Sequence, residues 1–309
     1  MPAAPPATHS RSSAKGALWA ALCALSFSTS SVVGKDLLGA LGPASLLFWR
    51  FALATTVLWS LLAVWRARGG PDPRSVPAVR LVLLGALLGG VVHLGFLSLE
   101  HLDVSVYIVV VYLYPAFVVL GSAALGRPLD RITVLALAVI TAGVVLTVPE
   151  LFTGVGSLST AGVLLAVSQA LTYAVYMLLS ERIVPSGVDG VVVASWTNVG
   201  AALYYVPFVA VQGLTVPDTA KIAGEVLLFA LIPTVAATTC FFRALRHIAP
   251  GLLAMIMTTE VALAIAWSAM FLHEHVSALE AVGAAVVIGG VVLAQRTAPV
   301  ADEKVPVGV

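Results

Sequence analysis

Charge is what this chain has least of. Only 10% of its 309 residues are Asp, Glu, Lys or Arg, against about 25% in a soluble domain. Sixteen basic and 15 acidic side chains cannot clothe a soluble surface of this size, so a pair of soluble domains is excluded and lipid must solvate most of the chain. The 60% hydrophobic content and the mean hydropathy of +1.04 agree. A net charge of +1 excludes a basic nucleic-acid binder and an acidic tail protein. Cysteine is nearly absent: Cys23 and Cys240 sit in apolar runs, with no disulfide framework and no zinc spacing. Also missing are a Walker loop, a dinucleotide glycine fingerprint, HExxH and GxSxG. No cofactor is expected, and transport driven by ATP on this chain alone is excluded. His273-Glu274-His275 is metal-like in composition, but three adjacent residues on a short turn do not converge on one ion, so no metal site is expected.

What is there is length of apolar run. A membrane-spanning helix needs roughly 20 mostly apolar residues. Ten such runs can be counted: 16–34, 44–65, 79–99, 104–125, 132–149, 160–180, 189–212, 226–247, 251–272 and 276–295. Between them stand turn formers and charge, as in Gly42-Pro43, Gly126-Arg127-Pro128, Pro185-Ser186-Gly187 and Pro250-Gly251. Residues 1–15 and 296–309 read as disordered ends. The first run is a retained helix rather than a signal peptide, because too few apolar residues precede Ala20-Ala21-Leu22-Cys23-Ala24. With the N-terminus in the cytoplasm, 13 of the 16 Lys and Arg residues fall on cytoplasmic segments and only Lys35 and Lys221 fall outside. The expected location is the inner (plasma) membrane, multi-pass, with both ends cytoplasmic.

The chain also resembles itself. Phe96-Leu97-Ser98-Leu99-Glu100-His101-Leu102 is similar to Phe242-Arg243-Ala244-Leu245-Arg246-His247-Ile248 at an offset of 146, and Ala142-Gly143-Val144-Val145-Leu146 is similar to Gly289-Gly290-Val291-Val292-Leu293 at 147. Two five-helix halves follow, 16–149 and 160–295. Five is odd, so the second half crosses upside down relative to the first. The expected fold class is therefore all-α integral membrane, with ten transmembrane helices as two inverted five-helix repeats. Such repeats are the signature of secondary transporters, whose substrate site lies near the midplane between the halves.

Particular residues point to a family. Thr259-Glu260-Val261, Trp267-Ser268-Ala269-Met270-Phe271-Leu272-His273-Glu274-His275 and Glu280-Ala281-Val282-Gly283-Ala284-Ala285 resemble the last two helices of the drug/metabolite transporter superfamily, specifically its EamA-type ten-helix exporters. Tyr114-Pro115-Ala116-Phe117, Phe48-Trp49-Arg50-Phe51 and Lys35 resemble the same family's first half. Val261 stands where the family usually has proline, Arg127 where it has Glu, and His273 where it has glycine. The resemblance covers 16–295 and implies export of amino acids, metabolites or drugs.

Polar residues inside the runs are the site candidates, because a charge in hydrocarbon costs at least ~2.5–3.5 kcal/mol and needs a partner or a role. Glu260, about nine residues into the ninth helix, lies near the midplane, where it can bind a cationic amine or carry a coupling proton. Trp267 shares its face at i+7. In the sixth helix Gln169, Tyr173 and Tyr176 share a face; in the first, Trp19, Cys23, Ser26 and Ser30 do; in the fourth, Tyr107 and Tyr114 do, with Tyr112 offset. These faces suit a cavity for partly polar small molecules, and the substrate-binding set is Glu260, Trp267, Gln169, Tyr173, Tyr176, Tyr112, Trp19, Ser30 and His93. Arg50 and Glu280 sit at similar depth and are expected to form a structural ion pair. Gly85 and Gly89, and Ala285 with Gly289, are expected to let helices approach closely. The expected partners are a small-molecule substrate and the bilayer, with no nucleic acid, and the chain a monomer or homodimer. The expected function is secondary transport by alternating access through a midplane cavity. The alternatives are a small-solute channel, which lacks the charged rings or filter it would need, and an intramembrane enzyme, for which Glu260 and His93 are too few convergent groups.

Overall fold

The computed structural model describes residues 8–153, 159–271 and 275–296. The described residues form helices and turns: α1 (Thr8–Ser28), α2 (Ser30–Leu41), α3 (Pro43–Ala67), α4 (Ala78–Leu99), α5 (Val104–Val111), α6 (Tyr114–Ala124), α7 (Arg131–Leu146), α8 (Glu150–Thr153), α9 (Thr160–Ile183), α10 (Gly190–Gln212), α11 (Ala220–Ala230), α12 (Ala237–Leu245), α13 (Pro250–Met257), α14 (Thr259–Phe271) and α15 (Ala278–Gln295). A π segment, Leu231–Ala236, joins α11 to α12. Helix is dictated by solvent, since a spanning segment in lipid must satisfy every backbone polar group internally. Helix starts are written locally. Asp130, Ser159, Asp189, Thr219 and Ser277 each accept a hydrogen bond from a backbone N–H in the first turn that follows.

Eight helices are long and apolar enough to cross a membrane among the described residues: Pro43–Ala67, Ala78–Leu99, Val106–Ala124, Thr160–Ile183, Gly190–Gln212, Ala220–Leu245, Pro250–Phe271 and Ala278–Gln295. The chain is a multi-pass membrane protein. The other two expected runs fall on α1, whose first turns carry Thr8, His9, Ser10 and Arg11, and on α7, which is apolar but has only 16 residues. α1 begins at Thr8, inside the stretch read as a disordered lead. Residues 297–309 and the turn residues His273 and Glu274 lie outside the described residues. The outward face is apolar, with Val79, Leu83, Leu164, Val211 and Met270 all largely exposed, as a lipid-facing surface requires.

Backbones meet where glycine permits. α7 packs along α15, and a Cβ on Gly143 would lie 2.7 Å from Val287 N, while one on Gly283 would lie 2.6 Å from Thr147 N. α4 packs along α10 through Gly85, which faces the Thr197 backbone, and Gly89, which faces Tyr204. The expected small-residue contact at Gly289 is corrected: nothing lies within 4 Å of a Cβ there, and Gly283 and Gly290 make the close approach instead. Adding a methyl therefore has opposite effects on the same pair of helices. Gly143→Ala is expected to destabilise the protein by about 1–3 kcal/mol through overpacking. Gly289→Ala is expected to be neutral or stabilising by up to about 1 kcal/mol. Thermal unfolding in detergent reads both, and equal effects would refute this packing.

Candidate functional site

Four helices are interrupted, and the interruptions cluster. α1 breaks at Thr29, α5 gives way to α6 at Tyr112-Leu113, α13 gives way to α14 at Thr258, and the π segment breaks the helix formed by α11 and α12. Residues at the first three breaks line one cavity of about 680 Å³: Ser28 and Ser30, Tyr112 and Tyr114, Glu260 and Val261. The fourth contributes through Arg50, which lines the cavity from α3 and holds the π segment behind it. Gln169 and Tyr173 from α9, Tyr107 from α5 and the face of α4 from Leu88 to Leu99 complete the wall. The rim residues Val104, His275 and Val276 are exposed, so the cavity opens at the end of the bundle where α4 finishes and α15 begins.

The π segment has a local cause. Pro233 has no N–H to give to Phe229 O, one turn back, and Thr234 Oγ1 donates to that carbonyl instead, at 3.2 Å. Arg50 Nη2 then donates to Pro233 O at 2.9 Å and its Nε to Thr234 Oγ1 at 2.7 Å. The guanidinium also lies over the Phe229 ring, 4.7 Å from its centroid. Arg50 therefore bridges the two halves of the chain through neutral groups. The expected ion pair with Glu280 is corrected. Glu280 accepts from Ser277 N at 2.7 Å and completes a capping box on α15, and no Arg50–Glu280 pair forms among the described residues. Both do line the cavity, Arg50 buried and Glu280 nearer the rim.

Glu260 is half-buried and reached from the cavity. Tyr112 is its neighbour in the wall, and Arg50 is the cation that acts on it electrostatically. The cavity thus carries the Arg50 guanidinium, the Glu260 carboxylate and, nearer the rim, the Glu280 carboxylate among hydroxyls and apolar side chains, a combination suited to solutes with both charge signs.

Of the residues singled out from sequence, Glu260, Gln169, Tyr173, Tyr112 and Ser30 come together at this cavity. Four stand elsewhere. Trp267 Nε1 donates to Ser28 Oγ at 2.8 Å, bracing a lining residue from behind. Tyr176 is buried beneath the floor, stacked on Tyr173 with ring centroids 5.9 Å apart. His93 packs among Tyr204, Tyr205 and Phe208. Trp19 lies under the Arg243 guanidinium, 4.8 Å from it, and Arg243 also pairs with Asp189 at 3.3 Å. Sequence reasoning left Tyr107, Tyr114, Ser28 and Thr147 out of the lining set, though all four line the cavity. From the cavity wall inward, the rings of Tyr114, Tyr173, Tyr176, Phe241 and Phe242 meet in succession, with centroids 4.8, 5.9, 5.6 and 5.1 Å apart, the last pair edge-on.

Comparison with known proteins places this architecture. The model of the EamA-like transporter family matches residues 14–148 and again residues 160–295. The chain belongs to the EamA-like transporter family. Among relatives of this EamA-like protein, the threonine/homoserine exporter RhtA of Salmonella typhimurium (strain SL1344) is 26% identical over 269 residues, covering 85% of this chain and 87% of the exporter. The exporter of the same name from Escherichia coli (strain K12) is 25% identical over the same length. A solved crystal structure, 22% identical, matches 91% of this chain and 96% of its own with a TM-score of 0.77, and so shares the fold.

Removing Arg50 tests the bridge. Arg50→Ala leaves the Pro233 carbonyl buried without its donor, a cost of about 1–3 kcal/mol. Glu280→Gln disturbs only an exposed cap. Detergent melting should rank Arg50→Ala well below Glu280→Gln. A double-mutant coupling above about 0.5 kcal/mol between the two positions would instead restore the ion pair.

Proposed function

We propose that this EamA-like protein is a secondary transporter that exports small amino acids through this cavity by alternating access. The observation that carries the reading is the meeting of Arg50, from the first half, and Glu260, from the second, at one cavity that opens at one end. A zwitterionic amino acid offers a carboxylate to the first and an ammonium to the second. Relatives named as threonine/homoserine exporters support that solute class.

A carrier rather than a channel is favoured by what lies below the floor. Tyr176, Phe241 and Phe242 are buried, and these rings close the path towards the end where Arg243 pairs with Asp189 and lies over Trp19. A continuous pore would need that end open. In the proposed cycle the closed end parts as the rim closes, and Glu260 releases its proton to water as the solute's ammonium arrives, then takes one up again once the solute has left.

The packing supports ten spans arranged as two inverted five-helix halves. Exchanging the halves maps several of the main helix contacts onto others. α4 on α9 answers to α12 on α1, α4 on α10 to α11 on α3, and α5 and α6 on α9 to α13 and α14 on α1. α3 on α10 and α7 on α15 map onto themselves. The breaks also match: Tyr114 and Glu260, 146 residues apart, both stand just after an interruption. With both termini cytoplasmic in the inner membrane, as the Lys and Arg distribution supports, the cavity opens outward.

Reconstituted into proteoliposomes, the wild type should carry threonine saturably and with competition by homoserine. Glu260→Gln should lower the rate by at least about tenfold and flatten its pH dependence, because a group that exchanges the proton contributes about 10²–10⁴-fold in analogous proton-transfer roles. Unchanged flux at every pH would remove Glu260 from the mechanism. Flux that never saturates would favour the channel.

A further inference from the structure

One polar side chain in the cavity wall is half used. The amide nitrogen of Gln169 and the Tyr107 hydroxyl are neighbours in that wall. Both groups press against Gly95, where a Cβ would lie 2.7 Å from Gln169 Nε2 and 2.8 Å from Tyr107 Oη. Glycine at that position lets α4 sit close enough to fix the amide. The other end is empty: Gln169 Oε1 is buried with no hydrogen-bond partner, on a residue that is 9% exposed and lines the cavity. Ser30 Oγ lines the same cavity and is also buried without a partner. An unfilled buried acceptor is a standing cost, and this one belongs to a residue of the cavity wall.

We propose that Gln169 is a specificity-determining residue that reads a hydroxyl group on the solute, whose O–H donates to Gln169 Oε1. The proposal rests on the amino-acid reading of the cavity and narrows it. With the two charged ends of the solute taken by Arg50 and Glu260, the side chain is left to the wall where Gln169 stands. A solute of the same shape carrying a methyl in place of the hydroxyl leaves the acceptor empty. A site built to bond a hydroxyl rejects such an analogue far more strongly than an apolar pocket rejects an added hydroxyl. A short amino acid with a side-chain hydroxyl, the class already named for the relatives, supplies that donor. Gly95 is a positioning residue, because it acts through the amide it accommodates.

Threonine and valine differ by that one exchange, and their competed flux in proteoliposomes is the test. The wild type should prefer threonine by about tenfold or more. In Gln169→Leu the ratio should fall to within about twofold, mainly through loss on threonine, as expected when one hydrogen bond is removed. Gln169→Met, of closer length and flexibility, serves where the leucine variant does not purify as a monodisperse protein, and should behave alike. Gly95→Ala should lower the ratio as well by displacing the amide. A threonine preference that survives in the Gln169 variants, or a wild type that carries both solutes equally, overturns the role of Gln169 while amino-acid transport stands. A wild type that carries neither solute overturns the amino-acid reading and this inference with it.

Discussion

A peptide group in hydrocarbon has no water to turn to, and that constraint organises the molecule. Every interruption of a helix must find partners within the protein, and here each does. Thr29 Oγ1 donates to Ser26 O and Ser28 Oγ to Leu25 O; Thr258 Oγ1 donates to Met255 O and Thr259 Oγ1 to Ile256 O. Leu113 N donates to Val110 O. At the π segment, Thr234 and Arg50 replace what Pro233 removes. Breaks of this kind survive only inside the bundle, and here they gather around the cavity. The cavity and the irregular backbone are thus two aspects of a single requirement, and the polar atoms released at the breaks become the polar atoms of the wall.

Much of this was legible as periodicity and much was not. Long apolar runs announce spanning helices, and a stripe such as Gln169 and Tyr173 announces a face, because α9 is continuous from Thr160 to Ile183. The fourth run defeated the same arithmetic. Tyr107 and Tyr114 share a face of an ideal helix and Tyr112 does not, but the chain changes phase at Tyr112-Leu113 and all three line the cavity. Arg50 was recognisable as a buried cation, yet its partners are a carbonyl and a hydroxyl 183 and 184 residues away, which no local pattern announces. The use of Glu280 was written nearby. Ser277-x-x-Glu280 is a capping-box signature, and it competes with the ion pair that depth alone suggested. Trp19 and His93 show the converse: residues of the right type, on interior faces, that find aromatic and cationic neighbours away from the hollow.

The two halves each match the family's model but do not share their chemistry. At an offset of 146, Glu260 corresponds to Tyr114 and Arg50 to Trp196. Each half thus contributes one charged group where the other has an aromatic ring. Trp196 packs edge-on to Trp59 at 4.9 Å and donates to Pro73 O, whereas Arg50 holds a distorted helix beside the cavity. Duplicated architecture supplies the frame, and departures from it supply the site.

The hollow also reshapes the electric field. A vestibule of about 680 Å³ with an exposed rim admits water and ions, which carry the potential of one bathing solution down to its floor. The voltage across the bilayer then drops mainly over the plug formed by Tyr176, Phe241, Phe242 and their neighbours. A zwitterion passing that plug carries no net charge and is indifferent to the voltage. A singly charged solute would be helped or hindered by about 2.3 kcal/mol per 100 mV, concentrated over a fraction of the membrane's thickness.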